Sequence, residues 1–113
     1  MIVRNLTKGN VLGDSISVAD TSQKRRTGLL KHSKLEPGEG LWIVPCEGVH
    51  TFGMKFPIDV LFLNKKRKVL KVRKAMALRR ISFCLRAHSV LELPAGTLEA
   101  AGCDRGDQLE FER

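Results

Sequence analysis

Tyrosine is absent from this 113-residue chain, and there is one tryptophan and only five phenylalanines. None of the six aromatics falls within Lys65–Arg80, so the stacking platforms of single-strand nucleic-acid binders are poorly supplied. Cys46, Cys84 and Cys103 are an odd set without a C-x-x-C pair, which excludes a disulfide framework and a zinc ribbon. No apolar run approaches the ~20 residues of a membrane helix. The opening Met1-Ile-Val-Arg-Asn-Leu6 lacks the features of a secretory signal, so a cytoplasmic protein with no membrane partner is expected. No P-loop, dinucleotide fingerprint, HExxH or GxSxG occurs, and repeats, linkers and low-complexity tracts are lacking. Residues 1–113 read as one domain.

Acidic residues are missing altogether from positions 60–91, which hold ten Lys and Arg. Residues 1–59 carry a net +2 and residues 92–113 a net −4, giving +8 for the chain. The candidate anion or nucleic-acid patch is Lys65, Lys66, Arg67, Lys68, Lys71 and Arg73. Its alternative is a solvated hairpin tip whose lysines discourage edge-to-edge association.

Apolar residues are arranged in short runs of strand character. Ile2–Leu6 and Ser15–Ala19 predict an early hairpin, and Asp20 with Gln23 has capping-box spacing for a short helix over 21–31. Gly28 lies inside that helix, tolerable where another backbone approaches closely. Leu41–Val44 is an apolar strand, and Val49–Met54 is an extended stretch. Ile58–Leu63, apolar on both faces except at Asp59, predicts a central strand that pairs with Val69–Arg73 in a hairpin. Ile81–Leu85 reads as strand or helix, Ser89–Leu93 and Gln108–Phe111 as strands. Thr97 can cap one helical turn that Gly102 closes. The fold expected is mainly β (α+β), a small barrel-like or folded antiparallel sheet with one or two short helices.

Several ordered motifs resemble the DUF192 (UPF0127) family. They are Val18-Ala-Asp-Thr21 with Arg26-Thr-Gly-Leu-Leu30, then Gly38-Glu-Gly-Leu-Trp42 and the run Val49–Leu63. Val90-Leu-Glu-Leu-Pro-Ala-Gly96 and Gly106-Asp107 complete the series over roughly residues 15–111. The resemblance implies a compact, mostly β domain and no particular activity. The chain departs from many members at Leu30, where they have Met, and in the short Met54-Lys-Phe-Pro-Ile-Asp59 segment, which lacks an Asn-Thr pair.

Polar groups concentrate around that segment. His50, Lys55 and Asp59 are read as lining a cleft with Met54 as an apolar wall, Arg26 at its edge, and Glu92 as a further candidate. Alternation puts Asp59 with Leu61 and Leu63 on one face of its strand and Ile58, Val60 and Phe62 on the other. A carboxylate in an apolar strand needs a partner, whether Lys55, His50 or backbone amides. Cys46 and His50, like Cys84 and His88, have C-x3-H spacing, which admits a metal site or, at Cys46, a thiol–imidazole dyad. The spacing is not that of a usual zinc knuckle, so no metal or cofactor is assigned. The favoured function is binding of a small polar or anionic ligand. The alternatives are a nucleic-acid or ribosome-associated module using residues 65–86, and a small hydrolase or lyase using Cys46 with His50 or Asp59 with Glu92.

Overall fold

Ten strands and two short helices make up the structure, a computed structural model that describes residues 1–113. The centre is a five-stranded sheet, ordered β3 (Ser15–Ala19), β4 (Glu39–Ile43), β9 (Ser89–Pro94), β6 (Ile58–Leu63) and β7 (Val69–Met76). All neighbours in it are antiparallel except β3 and β4, which run parallel. Three outer strands, β10 (Leu109–Glu112), β1 (Ile2–Asn5) and β2 (Asn10–Gly13), form a second sheet. A ribbon of β5 (Gly48–His50) and β8 (Ile81–Phe83) forms the third. The mainly β class is as expected, but the sheets stay open and no barrel closes.

Strand parity divides the interior in two. Leu61 and Leu63 of β6, Leu91 and Leu93 of β9 and Trp42 of β4 pack toward the outer sheet with Val3, Leu12 and Leu109. Val60 and Phe62, Val90, and Leu41 and Ile43 face the other way, toward Val49, Met54 and Leu29. Every residue of β6 is buried, as its two-faced apolar pattern requires.

Five local expectations are corrected. The first hairpin joins β1 to β2, a strand the sequence reading missed, and Ser15–Ala19 pairs instead with β4. Helix α1 is only Ser22–Thr27, capped by Thr21, whose Oγ1 accepts the Lys24 amide at 3.2 Å, rather than by Asp20. Gly28 does not sit within it but ends it, at φ 48°. Of the stretch 49–54, only Val49 and His50 belong to a strand. Helix α2 (Thr97–Ala101) starts without a side-chain cap from Thr97.

Arg67, at the β6–β7 turn, lies over the Trp42 ring at 4.7 Å and the Phe111 ring at 5.7 Å. A guanidinium on an aromatic face contributes about 1 kcal/mol at a partly exposed position. Arg67→Ala is therefore expected to lower the unfolding free energy by about that much and to red-shift the emission of Trp42, the only tryptophan. Denaturation with fluorescence detection reads both effects, and unchanged emission would contradict the stack.

Candidate functional site

The polar residues of the 50–59 segment separate. Asp59 is fully buried on the outer-sheet face, where its Oδ1 accepts the Ala75 amide at 2.7 Å and its Oδ2 the Leu98 amide at 2.9 Å. Its partners are the backbone amides, not Lys55 or His50. It holds Ala75 at φ 47° in β7 and serves α2 as the cap that Thr97 does not supply. Lys55 is exposed and lines no part of the cleft described below. The proposed grouping of His50, Lys55 and Asp59 is thus corrected: alternation sends Asp59 to the face opposite the cleft.

Thr51 is also structural. Its hydroxyl donates to the Ala77 carbonyl at 2.6 Å and accepts the Arg80 amide at 2.9 Å, while its own amide donates to the Arg80 carbonyl. The turn at 77–80 is fastened to the signature segment through this one buried residue.

On the opposite face of the sheet lies a cleft of about 410 Å³. Glu92 forms part of its lining from β9, between Leu41 of β4 and Val60 of β6 in register. Ile43, Val49 and Met54 supply apolar wall, and Cys46 and His50 come from the β4–β5 connection and β5. Arg25 and Arg26 enter from α1, with Gly28 and Leu30 just beyond it. The structure therefore brings His50, Met54, Glu92 and Arg26 together. Arg25 was missed; the signal available was its place beside Arg26 in the cationic last turn of α1.

Glu92 is 4% exposed and accepts no hydrogen bond from the protein, so burial alone raises its pKa to about 7. It is not the edge-strand surface residue that the commoner reading of its sequence gives, because β9 is the middle strand of the sheet. Neither Arg25 nor Arg26 forms an ion pair; Arg25 donates to the Asp20 carbonyl at 3.3 Å. The cleft thus combines a buried carboxyl lacking a donor with guanidinium groups lacking an anion.

The catalytic alternatives find little geometry. In register Glu92 pairs with Val60 while Asp59 pairs with Leu93, so the two carboxyls project from opposite faces and form no acid–base pair. The Cys46 thiol donates to the Gly48 carbonyl at 3.0 Å, and burial pushes its pKa up, which favours the thiol over the nucleophilic thiolate. No three His, Cys, Asp or Glu side chains gather in a group able to hold a metal ion.

The basic patch is distributed over the β6–β7 hairpin. Lys65, Lys66 and Lys68 are exposed at its turn, Arg67 is occupied on Trp42, and Lys71 and Arg73 are half-buried on β7. Lys71 donates to the Phe83 carbonyl at 2.9 Å.

The model of the family DUF192, described as an "Uncharacterized ACR", matches residues 3–111. The chain belongs to DUF192. Among its relatives in that family, a UPF0127 protein of Pyrococcus furiosus is 31% identical over 115 residues, covering 96% of this chain and 97% of the relative. A UPF0127 protein of Thermococcus sibiricus is 31% identical over 116 residues, covering 96% of this chain and 73% of the relative. The DUF192 fold recurs in a crystal structure of a protein of unknown function from Novosphingobium aromaticivorans. That structure has a TM-score of 0.85 at 20% identity and covers 97% of this chain and 83% of the other. No helix of this DUF192 chain is long and apolar enough to cross a membrane.

Proposed function

We propose that this DUF192 domain binds a small anionic ligand that also carries a hydrogen-bond donor. The observation that carries the reading is Glu92, a carboxyl almost wholly removed from water, facing the cleft with no donor from the protein. A carboxyl with so little access to water and no donor from the protein gains a hydrogen bond when a ligand hydroxyl or amine enters the cleft. At the α1 side, Arg25 and Arg26 offer fork-shaped donors to a carboxylate or phosphate. Met54 and Ile43 give the ligand's carbon frame an apolar wall, and His50 adds an imidazole contact.

The reading is tested by NMR titration with inorganic phosphate, a panel of sugar phosphates and a panel of hydroxy acids. Shifts are expected at His50, Cys46 and the α1 amides for ligands that carry both groups. Glu92→Gln is expected to weaken the preferred ligand by about tenfold, the loss of one charge-assisted hydrogen bond. Arg25→Gln combined with Arg26→Gln is expected to weaken it further. Cleft resonances that stay unmoved with inorganic phosphate and across both panels would overturn the reading.

A further inference from the structure

Seven large hydrophobic side chains stand in solvent, and five of them (Phe52, Leu78, Ile81, Phe83 and Leu85) fall within residues 52–85, on or beside the β5–β8 ribbon. Ile81, Phe83 and Leu85 are 65%, 60% and 76% exposed. Ser82 between the first two is buried, so alternation places Ile81 and Phe83 together on the outward face of β8. The ribbon is held in place: Thr51 fastens the turn that leads into it, and Lys71 donates to the Phe83 carbonyl.

The surroundings are cationic. Arg79, Arg80 and Arg86 are exposed on the two sides of β8, and no acidic residue occurs from 60 to 91. Such a face fits a partner that is apolar inside and anionic at its surface. A second copy of the chain would bring the same arginines against one another. A nucleic acid would satisfy the arginines but leave Ile81 and Leu85 unpaired, with Phe83 as the one strongly exposed ring on the strand. An anionic bilayer satisfies both sets at once, because the side chains enter the headgroup boundary while the guanidinium groups reach lipid phosphates.

We propose that the outer face of the β5–β8 ribbon, through Ile81, Phe83 and Leu85 with Arg79, Arg80 and Arg86, docks on anionic lipid bilayers. This is a surface contact and needs no spanning helix. It is independent of the ligand read from the Glu92 cleft.

The test is co-sedimentation of the full chain with phosphatidylcholine vesicles, with and without phosphatidylglycerol. Binding is expected only to vesicles that contain phosphatidylglycerol, and it should weaken as salt rises. I81S/F83S/L85S is expected to reduce partitioning by about tenfold, and R79Q/R80Q/R86Q by about a hundredfold at roughly fivefold per charge. Both sets lie in solvent, so thermal unfolding should stay near that of the parent and report that the variants fold. Three results would overturn the proposal. One is no sedimentation with phosphatidylglycerol. Another is binding indifferent to the three serines, which identifies simple polyanion attraction. The last is self-association in analytical ultracentrifugation that the serines abolish, which assigns the face to a second copy.

Discussion

Asp59→Ala is expected to lower the unfolding free energy by about 4 kcal/mol, since each of two hydrogen bonds to a buried charged group contributes roughly 1.5–3 kcal/mol. The loss is compound. Oδ1 holds Ala75 in a left-handed backbone conformation, and Oδ2 takes the Leu98 amide at the start of α2. With alanine in place, the Leu98 amide inside the fold and the Ala75 amide at its edge both lose their acceptor. The carboxylate ties together segments 16 and 39 residues away in the chain, so no neighbouring group substitutes for it. Asp59→Asn keeps one acceptor oxygen but turns an amide donor toward the other N–H, and a loss of about 2–3 kcal/mol is expected. Urea denaturation reads both values, and the alanine change corresponds to a midpoint about 15 °C lower. A cost under about 1 kcal/mol for alanine would mean that the two hydrogen bonds do not hold the sheet to α2.

Glu92 gives the second large effect, with the opposite sign. Its pKa is about 7 in the folded protein against an ordinary 4.5, so between these values the folded chain holds a proton that the unfolded chain has released. Stability must then fall as pH rises through that window and level off above it, by a total on the order of 3 kcal/mol. Glu92→Gln removes the titration. Relative to the parent, the variant should be near neutral in stability at acid pH and more stable by about 3 kcal/mol near pH 8. Denaturation curves at several pH values decide this, and a parent–variant difference that does not change with pH would refute it. A ligand that donates a hydrogen bond to Glu92 favours its ionised form, so saturation with such a ligand should flatten the parent's pH slope.

The same residue marks how far the sequence could be read. Alternation along Ile58–Leu63 correctly assigned each side chain to one of two faces, because a strand's period is fixed by backbone geometry. The hairpin from Ile58–Leu63 to Val69–Arg73 was also legible, being local. Which face carries the cleft was not legible, since that depends on where β5 and α1 settle after long-range pairing. Asp59 and Glu92 therefore looked equivalent in sequence, yet one braces the frame and the other lines the cleft. The parallel pairing of Ser15–Ala19 with Glu39–Ile43 was missed for the same reason: it joins segments separated by a helix and a long loop. Strand β2 was missed because its four residues include an exposed Val11 and give almost no periodic signal.

The two-sided sheet has a consequence for substitutions. Along β6 and β9, one parity packs against the outer sheet and the other turns to the inner core beneath the cleft. Of the residues on that second parity only Glu92 reaches the cleft, Val60 and Val90 being core, while Asp59, Leu61, Leu91 and Leu93 keep the outer sheet and α2 in place. A change at Glu92 is therefore felt on the cleft side and not by the outer sheet, because the backbone of a single strand stands between the two.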